Sequence, residues 1–302
     1  MEKKYIHLLC CLRCKGSLIE FNTYLKCGVC GCEYQVENGI PRLVFGKKGI
    51  DTKISEEKWD KQYKKSSEIK KYVNDPMVVS HKRFLSLYKQ YLKKDIFLDL
   101  GCGIAWTSFF LAKEGVSVVG LDISYEVVLK SQLFFKEEKL PGLFIQADFL
   151  NIPLKDNSVG FIYWGLSIEY VRNTEKAIRE TYRVLKQKGR IVVPFPVVSL
   201  STLFYHQFRG GDIPRVPILR ELMELIHVKI LKGKYMHYGY GQTFTTNSMR
   251  KMFVNAGFKI KVIDLFDTYY PISSFPRLVR PALRKLLRFR LFWPFAYLEA
   301  VK

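Results

Sequence analysis

Short apolar runs and stretches with helical spacing alternate through the middle of the chain. Residues 96–100 and 116–121 are apolar runs of strand length, and residues 107–113 between them have a helix-like composition. The remaining predicted elements are a helix at 247–256, ended by Gly257, and strands at 258–266 and 295–301. This order predicts an α/β fold that contains a nucleotide-binding βαβ unit.

Candidate chemistry lies at the turn that follows the first of these strands. Gly101 and Gly103 stand between strand and helix, where glycine lets the backbone approach a ligand and the helix N-terminus adds a favourable dipole. Asp122 ends the second strand, in position to accept hydrogen bonds from two ribose hydroxyls. Ala105 and Trp106 stand where the third glycine of a dinucleotide-binding loop would fall. The pattern therefore favours a nucleotide-type cofactor and argues against NAD.

The motifs at 98–103 and 120–124 resemble those of class I S-adenosylmethionine-dependent methyltransferases. The resemblance continues through residues 146–149, 151–171 and 180–189. Within the family, the chain resembles the branch that includes the methyltransferases of ubiquinone and menaquinone biosynthesis. It implies a Rossmann-like sheet of seven strands, the last of them antiparallel, with helices on both faces. The cofactor-binding residues that the resemblance implies are Asp99, Gly101, Cys102, Gly103, Asp122, Ile123, Asp148, Phe149 and Trp164.

Several of these positions have a second interpretation or depart from the family pattern. Asp99 could orient the glycine loop without touching the cofactor, and Trp164 could be a core aromatic. Tyr170 stands where the family often has a histidine, so no role is transferred to it. Gly189 is expected to cap the helix before a fifth strand that begins at Arg190.

Six of the seven cysteines lie before residue 33. They include two C-x2-C pairs, Cys11 with Cys14 and Cys27 with Cys30. Two such turns bring four thiolates to one point, which forms a tetrahedral set suited to a structural zinc ion. The alternatives are a pair of disulfides or reduced cysteines that simply pack. Cys32 could replace one of the four ligands, and Cys10 is expected to be a bystander.

The surrounding sequence resembles a zinc ribbon, the short module that serves as activator subunit of tRNA and protein methyltransferases. The Gly-Ile-Pro-x-Leu stretch at 39–43 is a distinctive part of that pattern. The predicted organisation is a zinc ribbon at 1–46, a Lys-rich helical linker at 47–94 and a class I methyltransferase domain at 95–302.

The methyltransferase pattern is interrupted by an insertion at 197–243, directly after the fifth strand. Because ligands bind at the carboxyl ends of the strands in open α/β folds, we expect this insertion to form a lid over the acceptor pocket. A hydroxyl acceptor would need a general base, for which His206, His237 and Tyr238 are weak candidates by position.

A basic amphipathic segment is predicted at 273–294, where Arg and Lys alternate with Leu and other apolar residues. Its part at 277–293 is a candidate for peripheral contact with a membrane surface. The alternative is a surface helix that packs its leucines on the core.

Charge and composition narrow the classes of function. The chain has 49 Lys and Arg against 28 Asp and Glu, a formal net charge of +21, which favours polyanionic partners such as RNA or anionic lipid. A hydrophobic content of 48% excludes wholesale disorder. No apolar run reaches the roughly 18 residues of a transmembrane helix, and the first residues lack a signal core, so a cytoplasmic location is expected.

Three functions are compatible with these patterns. The first is methyl transfer from S-adenosylmethionine to a small-molecule or lipid-like acceptor. The second is methylation of tRNA or rRNA, with the ribbon and the basic surface binding RNA. The third is a non-catalytic role as a binding protein that uses the cofactor, or the ribbon, to dock a partner. Residues 163–166 lack an Asn-Pro-Pro-Tyr-type motif, which argues against methylation of a base amino group.

Overall fold

A computed structural model describes most of the two predicted folded regions. The described residues are 3–44, 57, 88–92, 95–165, 167–171, 173–197, 242–266, 278, 281–282, 285, 289, 293 and 295–302. The body of the predicted lid, most of the Lys-rich linker and most of the basic segment lie outside them, as do His206, His237 and Tyr238. No helix of the described part is long and apolar enough to cross a membrane.

One mixed sheet forms the centre of the molecule. Seven of its strands come from the predicted methyltransferase region: β5 Ile96–Leu100, β6 Ser117–Asp122, β7 Leu143–Ala147, β8 Val159–Trp164, β9 Leu185–Pro196, β10 Lys259–Phe266 and β11 Phe295–Val301. They lie in the order β7-β6-β5-β8-β9-β11-β10. The first five are parallel, and β11 is antiparallel to both β9 and β10. The predicted antiparallel last strand is confirmed.

Four further strands from the N-terminal region extend this sheet. They are β1 Leu18–Glu20, β2 Tyr24–Cys27, β3 Glu33–Glu37 and β4 Ile40–Leu43, which form an antiparallel meander. β4 then pairs in parallel with β7, placing Arg42 opposite Gln146 and Leu43 opposite Ala147. The sheet therefore has eleven strands in the described residues, where the sequence predicts seven and a separate ribbon. The strand count differs because β4 pairs with the edge of β7, whose backbone groups would otherwise lack a neighbouring strand.

Helices cover both faces of the sheet. The described helices are α1 Lys3–Ile6, α2 Lys89–Leu92, α3 Trp106–Lys113, α4 Tyr125–Glu137, α5 Thr174–Val184 and α6 Thr246–Asn255, with 3-10 turns at Phe149–Asn151 and Ile168–Tyr170. The prediction for Gly189 is wrong. Helix α5 ends at Val184, and Gly189 lies inside β9, where an irregularity in the pairing with β8 accommodates it.

Alternation along the strands divides the core between the two faces. On β5, Leu98 and Leu100 face the same core as α5 and α6, whereas Phe97 faces α3 and α4. On β8, Ile162 and Trp164 lie on the first face and Phe161 on the second. All six side chains are at most 1% exposed, so the central strands are buried on both sides, as parallel strands usually are.

The N-terminal module, residues 3–44, is joined to the rest of the protein by backbone pairing as well as by β4. The Cys10 amide donates to the Pro153 carbonyl at 3.0 Å, and the Lys155 amide donates to the Leu8 carbonyl at 2.8 Å. Apolar residues of the module, including Leu9 and Leu25, belong to the same continuous core as the central strands. The module is therefore fused into the core of the protein.

A partly buried charge network lies beneath this contact. Glu180 accepts hydrogen bonds from the Ile152 amide at 2.9 Å and from the Arg183 guanidinium at 2.8 Å. Lys15 of the module lies 3.5 Å from the same carboxylate. Although burial raises the pKa of Glu180, the hydrogen bonds and charge of Arg183 outweigh it and lower that pKa. The carboxylate thus links helix α5, the segment before β8 and the N-terminal module.

We expect Glu180→Gln to reduce the free energy of unfolding by about 2 kcal/mol, because the substitution weakens charged hydrogen bonds of a side chain that is 16% exposed. Urea unfolding measures the change. The matched control is Glu175→Gln on the same helix, where the ion pair with Arg179 is 3.8 Å long and more than 60% exposed on both sides. Its effect should stay below about 0.5 kcal/mol. Equal losses in the two variants would contradict the structural role of Glu180.

Candidate functional site

The carboxyl end of β5 continues into a tight loop built on glycine. Gly101 has a φ of 67° and Gly103 a φ of 52°, both in the left-handed region that favours glycine. A Cβ at Gly101 would lie 2.2 Å from Ser167 Oγ, so no larger residue fits there. The amides of Gly101 and Cys102 both donate to the Leu121 carbonyl, at 2.8 and 3.1 Å. These bonds hold the glycine loop against the end of β6.

Ala105 adopts a φ of 54° directly before helix α3, near the position where a dinucleotide-binding loop has its third glycine. Among the described residues, no side chain caps the N-terminus of helix α3. Cys102 is buried in the loop, and burial together with the charges of Asp122 and Asp99 raises the pKa of its thiol well above the usual value. Its thiol is therefore protonated at neutral pH and is unsuited to act as a nucleophile.

Asp122 connects the glycine loop to the turn after β6. Its Oδ2 accepts a hydrogen bond from the Gly103 amide at 3.1 Å, and its Oδ1 accepts one from the Ser124 amide at 3.0 Å. The side chain is 9% exposed. Both bonds come from backbone amides, so the carboxylate fixes the glycine loop and the turn after β6 relative to each other.

Asp99 lies deeper than the other acids of the site. It is 3% exposed, and its Oδ2 accepts a hydrogen bond from Ser108 Oγ of helix α3 at 2.8 Å. Burial raises its pKa to about 7, against the opposing effect of hydrogen bonds from Ser108, and the charge of Asp122 adds to the increase. This geometry agrees with the interpretation that Asp99 orients the loop and helix α3.

The third predicted acid, Asp148, follows β7. It accepts a hydrogen bond from the Leu150 amide at 2.9 Å and so caps the 3-10 turn that begins at Phe149. The Phe149 ring meets Trp164 edge-on, with centroids 5.5 Å apart. Trp164 is fully buried at the end of β8, and its indole Nε1 is a buried donor with no hydrogen-bond acceptor among the described residues.

The predicted cofactor residues thus assemble at one edge of the sheet, at the carboxyl ends of β5, β6, β7 and β8. Sequence reasoning missed two residues that support them, Ser167 and Gln146. Ser167 contacts the glycine loop through its hydroxyl, which donates to the Leu100 carbonyl at 3.3 Å. Gln146 is fully buried, and its Nε2 donates to the Ile123 carbonyl at 3.1 Å. A Gln within an otherwise apolar strand is the sequence signal that could have indicated the role of Gln146.

The two ends of the predicted lid meet beside this edge. Val197 and Phe244 form a parallel bridge, and the Phe244 amide donates to the Pro196 carbonyl at 3.0 Å. Gln242 donates from its amide to the Glu169 carbonyl at 2.8 Å and from Nε2 to the Val171 carbonyl at 2.6 Å. The insertion therefore leaves and rejoins the fold at the carboxyl end of β9, next to the turn after β8.

A second group of chemically capable side chains lies in the N-terminal module. The sulfur atoms of Cys11, Cys14, Cys27 and Cys30 all lie within 4.8 Å of one another. The Cys11–Cys30 and Cys14–Cys27 pairs are each 3.5 Å apart. Four thiolates bonded to a zinc ion at about 2.3 Å would be about 3.8 Å apart, so this spacing fits a tetrahedral metal site.

Hydrogen bonds to sulfur surround the cluster. The Tyr34 hydroxyl lies 3.1 Å from Cys11 Sγ, and the Arg13 amide donates to the same sulfur at 3.4 Å. Burial raises the pKa of Cys11, but these hydrogen bonds lower it to about 6. Of the other nearby cysteines, neither Cys10 nor Cys32 belongs to the four-sulfur group.

Comparison with known proteins agrees with this geometry. Residues 98–193 match a family model described as a methyltransferase domain. Norajmaline N-methyltransferase of Rauvolfia serpentina is 36% identical over 117 residues, which cover 37% of this chain and 39% of that protein. Demethylmenaquinone methyltransferase of Lactobacillus johnsonii is 23% identical over 196 residues, covering 58% and 75%. The chain spans 39–64% of the length of three curated relatives that it matches.

Two solved structures share the fold. Magnesium protoporphyrin IX methyltransferase from Synechocystis PCC 6803 with bound SAH has a TM-score of 0.53 at 16% identity, covering 83% of this chain and 99% of that chain. A complex that contains the Haloferax volcanii Trm112 methyltransferase activator gives 0.53 at 17% identity, covering 81% and 94%. The match at residues 98–193 and the names of these relatives show that the chain resembles methyltransferases, and the two solved structures share its fold.

The raised pKa of Asp99 predicts a pH-dependent stability. The folded protein retains the Asp99 proton up to about pH 7, whereas the unfolded chain loses it near pH 4, so ionisation favours unfolding as the pH rises between these values. We expect the Asp99 contribution to fall by about 2 to 3 kcal/mol between pH 5 and pH 8. Urea unfolding of the wild type and of Asp99→Asn over this range isolates it. Parallel stability–pH curves for the two proteins would contradict the assignment.

Proposed function

We propose that this chain transfers a methyl group from S-adenosylmethionine to a small-molecule or lipid-like acceptor. The observation that carries the proposal is the bond from the Gly103 amide to Asp122, which places a glycine loop and a ribose-type acid at the carboxyl edge of a sheet ordered β7-β6-β5-β8-β9-β11-β10. An open α/β sheet binds its ligand at this edge, where the strand order reverses around β5.

The residues at the edge have the chemistry that the cofactor requires. The glycine loop, with Gly101, Cys102 and Gly103, would lie along the amino-acid part of S-adenosylmethionine. Asp122 would accept hydrogen bonds from the ribose hydroxyls, and Ile123 would contact the nucleoside. Asp148 would contact the amino group of the adenine, and Phe149 would lie against the adenine ring. Asp99 would act behind the loop, through Ser108 and helix α3.

Trp164 is the remaining residue of the proposed site. Its buried indole N–H has no acceptor in the part of the chain that the structure describes, and buried donors are usually completed by a protein group, a ligand or water. It lies next to the glycine loop, because β8 pairs with β5 through Leu100. We assign it to the boundary between cofactor and acceptor, where an N–H could orient an oxygen or nitrogen of either molecule.

The sulfonium supplies an already activated methyl group, so the protein needs mainly to align acceptor, methyl carbon and sulfur and to exclude water. The glycine loop would hold the cofactor at one end of the line that joins sulfur, methyl carbon and acceptor. The insertion, whose C-terminal end is held by Gln242 to the Glu169 and Val171 carbonyls, would cover the other. A general base is required only for an acceptor such as a hydroxyl; His206, His237 and Tyr238 remain candidates for it.

The names of the relatives support a small acceptor. Norajmaline, demethylmenaquinone and magnesium protoporphyrin IX each appear in the name of a related or structurally similar methyltransferase. The many aromatic residues of the insertion would suit an apolar acceptor.

Radiolabelled S-adenosylmethionine tests the acceptor class. The purified protein is incubated with the label and a host-cell extract that is then separated into RNA, protein, and lipid plus small molecules. We expect label that extracts into organic solvent or elutes with small molecules. Nuclease-sensitive label in RNA would overturn the acceptor class, and absence of label with intact cofactor binding would overturn the enzymatic proposal.

Two acid substitutions test the site assignment, one in the proposed site and one on the surface as its matched control. Asp122→Ala should weaken cofactor binding by about 100-fold, since it removes charged hydrogen bonds to the ribose and releases the Gly103 amide. Glu114→Ala, on the exposed surface after helix α3, should leave binding and labelling unchanged. Equal affinities in the two variants would refute the site assignment.

We also propose that the four-cysteine group binds a structural zinc ion. Four thiolates with tetrahedral spacing leave no open position, so the metal would stabilise the module rather than take part in methyl transfer. The hydrogen bonds from Tyr34 and the backbone amides to sulfur would stabilise the thiolate form that binds the metal.

Metal analysis of single variants tests the ligand set. The wild-type protein is expected to contain one zinc ion per chain, Cys30→Ser to lose it, and Cys32→Ser to retain it, because Cys32 lies outside the four-sulfur group. Zinc content is measured after dialysis against a weak chelator. Loss of zinc in Cys32→Ser together with retention in Cys30→Ser would show that the ligand set is wrong.

A further inference from the structure

The end of β6 and the turn that follows it carry two of the predicted nucleoside contacts, Asp122 and Ile123, and this turn is contacted from the N-terminal module. The nearest element of the module is β4, which lies on the far side of β7 from β6. Residues opposite one another across these three strands are Arg42 on β4, Gln146 on β7 and Asp122 on β6. A row of side chains therefore runs from the module to the cofactor turn.

Two hydrogen bonds connect this row. Arg42 Nε donates to Gln146 Oε1 at 2.8 Å, and Gln146 Nε2 donates to the Ile123 carbonyl at 3.1 Å. The first bond fixes the amide orientation of Gln146, because its oxygen must face the guanidinium and its nitrogen the carbonyl. Gln146 is fully buried, so water does not compete for this arrangement.

The module also contacts the residue that begins helix α4, directly after the turn. The Arg42 guanidinium lies over the Tyr125 ring at 4.8 Å from its centroid, and Asn38 Nδ2 donates to the Tyr125 hydroxyl at 2.9 Å. Glu37 in turn holds Arg42 by an ion pair of 2.8 Å. Arg42 thus contacts Tyr125 directly and Ile123 through Gln146, on either side of Ser124.

We propose that Arg42 is a positioning residue for the cofactor site. It does not touch the cofactor; it fixes the 122–125 turn so that the Asp122 carboxylate and Ile123 are held in the geometry that binds the nucleoside. This inference rests on the proposed cofactor site and adds that a residue of the N-terminal module sets its affinity.

The substitution Arg42→Met tests it, because methionine keeps the aliphatic length and removes the donors and the charge. The dissociation constant of S-adenosylhomocysteine, measured by calorimetry on the zinc-loaded full chain, should rise about fivefold to tenfold. The Michaelis constant for S-adenosylmethionine should rise similarly while kcat at saturating cofactor changes less than twofold. Arg42→Lys, which keeps the charge near Glu37 and Tyr125, should restore part of the affinity.

The matched control is Lys26→Met, which removes an exposed ion pair of the same module, between Lys26 on β2 and Glu33 at the start of β3. It should leave cofactor affinity unchanged. Gln146→Leu removes the relay bonds themselves, and Arg42→Met should weaken binding less in that background than in the wild type. Additive losses in the double variant would overturn the relay.

Hydrogen exchange supplies a readout that does not depend on the cofactor. In the cofactor-free protein, Arg42→Met should speed exchange of the Gly103 and Ser124 amides, which donate to Asp122, and leave amides of β9 and β11 unchanged. Faster exchange throughout would indicate general destabilisation and overturn a positioning role, as would unchanged exchange with unchanged affinity. If the wild type binds no S-adenosylhomocysteine, the proposed function fails while the exchange experiment still decides the role of Arg42.

Discussion

The Asp122 carboxylate holds together the two turns on which the candidate site depends. One oxygen binds the amide of the glycine loop after β5, and the other binds the amide of the turn after β6. Neither turn contains regular structure that could fix it alone, and the glycine residues add backbone freedom. A single buried acid therefore joins the two turns at one edge of the sheet.

This arrangement is supported from both sides of the sheet. Asp99 and Ser108 anchor helix α3 behind the glycine loop, and Ser167 closes against Gly101 from the turn after β8. Gln146 holds the Ile123 carbonyl from β7. The supporting groups are polar side chains that are buried or partly buried. At such positions each hydrogen bond is stronger than it would be in water, and its geometry is tightly defined.

The N-terminal module adds to the support of this edge of the sheet. Because β4 covers the edge of β7, the strand that precedes Asp148 is paired on both sides. The Glu180–Arg183 network and the shared apolar core fix the module elsewhere. A metal-dependent fold in the module would therefore be coupled to the rest of the sheet, since the two parts have no separate cores.

The sequence predicts the central strands well because their apolar runs are short, bounded by glycine or acid, and followed by motifs with fixed spacing. It predicts β5 and β11 with their observed bounds and the helix after the insertion within one residue at each end. It fails at Gly189, because a glycine after a helical stretch is usually a cap and nothing local indicates that the strand has already begun at Leu185. The four clustered cysteines were identifiable because each C-x2-C turn is a pattern that lies within a few consecutive residues.

The amino-acid sequence alone determined the fold class, the glycine loop, the acid after β6 and the four cysteines, since each depends on local spacing or on strand periodicity. Only the tertiary structure decided that the N-terminal strands join the central sheet, that Asp99 accepts a hydrogen bond from Ser108, and that Arg42 reaches the turn after β6 through Gln146. These contacts join residues that are distant in the chain: Arg42 and Gln146 are 104 positions apart. Strand pairing brings them together, and no local pattern encodes which edge a strand will occupy.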